Sequence, residues 1–482
     1  MAKRVARNAV YRTGALIVGN VSGLFLTIYL ARLLMPEQFG IYSLTLSIGM
    51  LAVAFSNMGI DGAVVRYIAY HAGKKDLRKI RGHFRYFLKI KIFLITFITF
   101  ILMLSSEMIA EFFREPNLKT PLMITGLLVF FASFSNLFNY FFVGLQEFKF
   151  VFLRQVVYEI SRWVFVIPLA TLFLAVGAIG GVTLSYLAIL LLLTLIALRK
   201  YGEYIFGETV ARDEKVRIFM GFMTMAEISG IMYAYVDSLM IGYFIGATDV
   251  GYYRAAYTIV FAIVGILGFA DVLFPVFTQL GRNDLSNAVN RLAKYTSTIA
   301  FPAAVGLAFL SESIIRVVYG TNYLSSVQPV LILSFIFIPA SFNYLMSVFN
   351  AKEVPQYSAY IITASMVLNV VLNYLLINVI GISGAALATL ISRIFAVSIT
   401  IYLLYKILKV KILIKPLLKS ALSSSIMLLG LLALPKPNSL FIGIIEVIFS
   451  ATLYFLILFA IKGLTKDDVN YLLASFGLKQ RT

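Results

Sequence analysis

Runs of about 20 apolar residues, each long enough to cross a hydrocarbon core of roughly 30 Å as a helix, recur along this chain. Fourteen can be marked: 14–34, 40–60, 84–104, 118–143, 152–175 and 178–198; then 218–245, 252–280, 295–310, 327–349, 357–379 and 382–405; finally 412–434 and 440–460. Inside lipid no water satisfies backbone N–H and C=O groups, so such runs must be helical. Of the 482 residues 61% are hydrophobic and only 13% charged, whereas soluble domains are about 45–50% apolar. The expected fold class is all-α, a polytopic membrane protein with about 14 transmembrane helices. The basic start MAKRVARNAVYR leads into a run that reaches Leu34 with no small-residue cleavage pattern. It reads as a retained first span, not a removed signal.

The formal net charge of +19 would suggest nucleic acid in a soluble protein. Its distribution argues for topology instead. If the fourteen spans hold, 33 of the 41 Lys and Arg residues fall on one side, in the N-terminus, the alternate connections and the C-terminal tail. Positive charge stays on the cytoplasmic side, so both termini are expected there, in the cytoplasmic (plasma) membrane. The same charges attract anionic headgroups. Membrane lipids are therefore expected partners and nucleic acid is not.

The runs fall into a six, six and two order. Expected domains are a six-helix N-terminal lobe (1–200), a six-helix C-terminal lobe (201–408) and two further helices with a tail (409–482). Short matches support duplication of the six. RLLMPEQFGIYSLT (32–45) echoes DSLMIGYFIGATDVGYYRAA (237–256), aligning Gly40-Ile41-Tyr42 with Gly251-Tyr252-Tyr253. Asp76-Leu77 then aligns with Asp284-Leu285, Glu147 with Glu353, and Gly177 and Gly180 with Gly381 and Gly384. Six is even, so both halves enter the membrane in the same sense, which implies a site between two parallel repeats.

Ionisable residues inside spans are costly and are functional candidates by default. Arg162, Glu227 and Arg393 lie near the middle of their runs; Arg32, Asp61, Arg66, Arg154, Glu159, Asp237, Arg254 and Asp271 lie nearer the ends. Arg154, Tyr158 and Arg162 recur every fourth residue and share a helix face. Such a stripe suits an anionic, hydrogen-bonding ligand; alternatively Glu159 and Arg162 neutralise each other. Glu227, Asp237, Asp271 and Arg393 are candidates for ion coupling or a gate, although Asp237 and Asp271 can equally cap helices, pair with a neighbour such as Arg254, or reach water.

Enzyme chemistry finds no footing. With no cysteine, thiol nucleophiles and Cys-ligated metals are excluded. There is no Walker A, HExxH or GxSxG motif, and His71 and His83, the two histidines, read as solvated in a basic loop after the second span. No metal or cofactor is expected, and active movement would draw on Na⁺ or H⁺, the membrane potential or the substrate's own gradient.

At GYFIGATDVGYYRAA, its echo ARLLMPEQFGIYSLT, the acid in VDSLMIG and the segment VIGISGAALAT, the chain resembles the polysaccharide transporter branch of the multidrug/oligosaccharidyl-lipid/polysaccharide flippase superfamily. The resemblance implies two lobes in a V around a central cavity, and alternating-access export of oligosaccharide carried on a polyprenyl phosphate or pyrophosphate. It also implies arginines that hold the phosphates. By residue type and span these correspond to Arg32, Arg66, Arg154, Arg162 and Arg254, with Tyr158 beside them. Glycan-assembly enzymes would be partners. The drug-exporting branch shares the fold, so a cation-coupled multidrug exporter is the rival reading, and a non-transporting scaffold a third.

Overall fold

A computed structural model describes residues 2–210, 216–266, 277–434, 439–468 and 470. Every element among them is helical. In order they are α1 (Ala2–Asn57), α2 (Ile60–Gly73), α3 (Leu77–Leu104), α4 (Ser106–Phe112), α5 (Lys119–Gly144), α6 (Phe148–Tyr201), α7 (Val216–Phe244) and α8 (Ala247–Ile266). There follow α9 (Arg282–Val318), α10 (Val327–Ser334), α11 (Phe337–Ala340), α12 (Tyr344–Ala351), α13 (Gln356–Ile380), α14 (Ile382–Leu408), α15 (Ile414–Ala433) and α16 (Leu440–Ala460). Among the described residues nine helices are long and apolar enough to cross a bilayer, or ten if the bent pair Thr321–Ser334 and Phe337–Ala351 is one span. The protein is a multi-pass, all-helical membrane protein.

Three of the nine stretches are double-length: Val10–Asn57, Phe148–Tyr204 and Gln356–Leu408. A straight helix of the second length would run about 85 Å, far beyond a bilayer, so each must break. The first breaks at Met35, just before Pro36. The second turns at Phe173 and Leu174, the latter left-handed at φ 51°. It folds back so tightly that a Cβ on Gly177 would lie 1.8 Å from the Leu169 carbonyl oxygen. The third repeats the device: Gly381 takes φ 60°, and a Cβ on Gly384 would lie 2.3 Å from the Leu376 oxygen.

These turns correct the repeat register. Leu174 precedes Gly177 by the same step as Gly381 precedes Gly384, so Gly177 is equivalent to Gly384, not Gly381. Gln146 and Glu353, left-handed at φ 60° and 59°, keep the same offset. The match at Gly40 and Gly251 takes a more direct form. A Cβ on Gly40 would lie 1.8 Å from the Ala247 carbonyl oxygen, and one on Gly251 would lie 2.1 Å from the Pro36 oxygen. The two echo segments pack on each other reciprocally, each glycine admitting the other's backbone.

Two further expectations change. The run 327–349 is not one helix but α10, α11 and α12, bent by 44° where Pro339 interrupts the hydrogen-bond ladder. The third span starts seven residues earlier than its apolar run, because Asp76 caps α3 by accepting from the Lys79 N–H at 3.0 Å. The basic segment after α2 is therefore largely helical. It buries Ile80, Phe84 and Phe87 against α2 and α5, and His83 against Tyr67 and His71 of α2.

Contacts gather the chain into two compact units that are not sequential blocks. The first is Met1–Thr258 with Ile362–Ala388; the second is Ile259–Ile361 with Thr389–Thr482. The first unit centres on aromatics of α3, α5 and α6, with Phe84 and Phe141 at 4.8 Å. In the second, Tyr454 of α16 donates to the Thr298 carbonyl at 2.9 Å, and Asp468 accepts from Lys294 at 2.5 Å. Burial works to raise the Asp468 carboxyl, but bonds from Lys294 and Thr465 outweigh it and hold it at about 2. The tie is therefore complete above the ordinary carboxylate range and lost only as pH falls toward 2.

The reciprocal glycine seam sets a test. Gly40→Ala and Gly251→Ala should each destabilise the purified protein by about 1–3 kcal/mol through overpacking, seen as a lower thermal midpoint in detergent. Gly73→Ala, which meets open space, should leave the midpoint unchanged.

Candidate functional site

The first half of α6 carries the Arg154–Tyr158–Arg162 stripe, and α1 and α8 complete its surroundings. The Arg162 side chain is 13% exposed and pairs with Glu159 at 3.1 Å. Its guanidinium lies 5.3 Å from the Tyr158 ring centre, and Tyr42 of α1 lies within its electrostatic reach. Glu159 also accepts from Ser22 at 2.9 Å and Gln155 at 2.8 Å. The Glu159–Arg162 pair is thus formed, and its carboxylate is shared among three donors. Arg162 Nε is buried with no partner.

Arg254 brings the second charge. It packs over Tyr235 at 5.4 Å and Tyr257 at 4.9 Å, and its field reaches Tyr42 together with that of Arg162. The seam explains this meeting. Tyr42 follows Gly40 by two residues and Arg254 follows Gly251 by three, so packing one glycine on the other's segment delivers both side chains to one place. Tyr186 closes against Tyr158 at 4.9 Å between ring centres. Two guanidiniums, one shared carboxylate and five tyrosines leave a net positive, hydroxyl-rich cluster, suited to a multiply charged oxyanion.

A second polar network lies where α1, α2, α3 and α7 meet. Lys91, fully buried, donates to Asp61 at 3.2 Å and to the Asn57 side-chain oxygen at 2.7 Å. Asn57 turns its amide nitrogen to both Glu227 oxygens, at 2.5 and 2.6 Å. The lysine fixes which way the amide points, oxygen toward the cation and nitrogen toward the carboxylate. Lys91 is the cation bonded into the network, and Arg154 lies within electrostatic reach of Asp61. In the sequence Lys91 falls at the edge of an apolar run among the basic residues that follow the second span, and its partners Asn57 and Asp61 lie 34 and 30 residues away. The Asp61, Asn57 and Lys91 spacings show in sequence only once α3 is known to begin at Leu77.

The remaining candidates separate. Asp237 is buried and accepts from Tyr253 at 2.6 Å and from Asn373 at 2.7 Å, with Asn369 behind at 3.1 Å; these contacts, not Arg254, hold it. Arg154 reaches Asn136 at 3.3 Å, and its Nε is buried without a partner. Arg66 is exposed and lies over Phe219 at 4.4 Å; Arg32 is exposed beside the break at Met35. Arg393 packs over Phe261 at 4.8 Å in the second unit. Asp271 lies outside the described residues. The histidines are not solvated: His71 and His83 are buried and stack at 4.9 Å, because α2 and α3 extend as packed helices beyond the apolar runs.

The fold and these charged clusters define a polytopic helical membrane protein with ionisable groups inside its helical bundle. The chain superposes on the lipid II flippase MurJ in an inward closed conformation with a TM-score of 0.75 at 18% identity, covering 94% of this chain and 98% of that one. Residues 29–328 match the polysaccharide biosynthesis protein family, and the chain belongs to that family. An uncharacterised membrane protein of Methanocaldococcus jannaschii is 24% identical over 415 residues, 79% of this chain and 81% of the relative. Agl15 of Haloferax volcanii, a probable low-salt glycan biosynthesis flippase, is 27% identical over 191 residues. That match spans 38% of this chain and 40% of Agl15.

The buried network makes its own prediction. Lys91→Ala should cost about 3–5 kcal/mol by stranding Asp61. Lys91→Met combined with Asp61→Leu should restore most of the loss, and a thermal-stability cycle in detergent reads the coupling. Additive losses would mean the pair is not energetically linked.

Proposed function

We propose that the protein is a flippase that moves oligosaccharide linked to a polyprenyl phosphate or pyrophosphate across the cytoplasmic membrane by alternating access. The observation that carries this is the convergence of Arg162 and Arg254 on Tyr42 with a single, shared carboxylate nearby. Phosphate oxygens fit two guanidinium forks; a cationic drug would be repelled by them. Unpaired buried nitrogens on Arg154 and Arg162 also argue against a scaffold, in which every intramembrane charge would be satisfied. The family match, with its polysaccharide biosynthesis description, and the flippase relative support the same direction.

In this scheme Tyr158, Arg162 and Arg254 hold the phosphate and the first sugar, and Arg154, which sits apart on Asn136, adds positive potential. Exposed Arg32 and Arg66 add positive potential. The polyprenyl tail stays in lipid. Asp237, with Tyr253, Asn373 and Asn369 around it, is the site for Na⁺, and Glu227 is the carboxylate that answers to a proton through Asn57. Both termini face the cytoplasm, where glycan-assembly enzymes deliver the substrate, and the glycine seam lies toward the opposite face.

Arg162→Ala and Arg254→Ala should each slow export at least about tenfold. The readout is lipid-linked oligosaccharide accumulating on the inner leaflet of cells that depend on this protein. Arg162→Lys should keep part of the activity, since it retains charge but loses the planar fork. Wild-type export in both alanine variants would remove the cluster from the transport path.

A further inference from the structure

A polar cavity with a volume of about 470 Å³ lies between α1, α5 and α6 in the first unit, and it borders the tyrosine–arginine cluster through Gln155, which donates to Glu159. Its polar lining is Arg12 and Asn20 from α1, Asn139 and Tyr140 from α5, and Gln155 from α6. Local contacts build it. Asn8 donates to the Gln146 carbonyl at 3.2 Å, which ties the start of α1 to the α5–α6 turn. Gly19 brings α1 so close that a Cβ there would lie 2.7 Å from the Gln155 amide nitrogen. Between those two points α1 stands off from α5 and leaves the cavity.

Three properties point to an occupant. Arg12 is the only charged residue in the lining, and it is a cation. Asn139 is 9% exposed, and its side-chain oxygen is buried with no partner, which costs free energy unless a ligand supplies one. The rim is apolar, and Leu16, which belongs to it, is 53% exposed on the outside of α1. A cation, neutral hydrogen-bonding groups and an apolar rim beside the basic end of the chain match an amphiphile with an anionic head.

We propose that this cavity binds the phosphate headgroup of a membrane lipid in the leaflet on the basic side of the protein. Arg12 pairs with the phosphate, a headgroup hydroxyl donates to the unpartnered Asn139 oxygen, a second hydroxyl donates to the Gln155 oxygen, and the chains lie along Leu16 and Val143. Two lipids share that chemistry, a bulk anionic phospholipid and the polyprenyl phosphate carrier. The site stands whether or not the tyrosine–arginine cluster carries glycan.

The test is native mass spectrometry of the full chain in detergent, with polyprenyl phosphate, phosphatidylglycerol and inorganic phosphate added separately. Using the Arg162→Ala background keeps binding at the other cluster out of the measurement. Each lipid that binds should lose at least about tenfold in apparent affinity in Arg12→Ala/Asn139→Leu, and again in Ala15→Trp, which fills the cavity without touching its polar groups. Tighter binding of polyprenyl phosphate marks a substrate docking point; tighter binding of phosphatidylglycerol marks a resident lipid. Lipid binding equal to that of the parent in both variants, or binding of inorganic phosphate alone, would overturn the site.

Discussion

The Ala247 carbonyl lies against Gly40, and the Pro36 carbonyl lies against Gly251. Much of the first unit follows from this pair of contacts. In a bilayer, helices gain little by hiding apolar surface from one another, so close backbone approach and polar contacts decide which helices meet. Here the approach joins the break in α1 to the start of α8. It thereby carries Tyr42 and Arg254 toward Arg162 on α6. Any side chain at either glycine would hold the segments apart and disperse the arginines.

The two polar networks of the unit differ in kind. Around Tyr42 positive charge exceeds negative, and the buried Arg162 Nε is left unsatisfied; that is costly in a resting protein and makes sense when an anion completes it. Around Asn57 the charges are tied to one another, with Lys91 held between Asp61 and the amide that grips Glu227. A single carboxamide thus connects α7 to the lysine of α3. A change of protonation at Glu227 acts on that connection, because a neutral carboxyl accepts the amide hydrogens less strongly.

Much of this architecture was legible in the residues. Helical class and membrane insertion follow from the length of the apolar runs. The duplication is legible at Gly40 and Gly251 because backbone-to-backbone packing demands glycine in both copies. It was misaligned at Gly177, since the turn residue before it is a leucine in one half and Gly381 in the other. Lys91 is not legible as a core residue because a cation at the edge of an apolar run looks like a loop charge until the Asp76 cap shows where α3 begins. His71 and His83 were misplaced for the same reason. Tyr42 was indistinguishable from the many aromatics of membrane interfaces, and only tertiary contact with Arg162 marks it. Asp237 has Tyr253 and Asn373 as partners, one on the next helix and one far along the chain, which no local spacing reveals.

The central claim is that the Arg162–Tyr42–Arg254 cluster holds the phosphate of a lipid-linked glycan. Photo-crosslinking tests it most directly, with benzoylphenylalanine introduced singly at Tyr42, Tyr186 or, as a remote control, Phe441. The predicted result is an adduct with a polyprenyl-pyrophosphate glycolipid at Tyr42 and Tyr186, competed by unlabelled glycolipid, and none at Phe441. Equal labelling at all three positions, or labelling at Phe441 alone, would contradict the account.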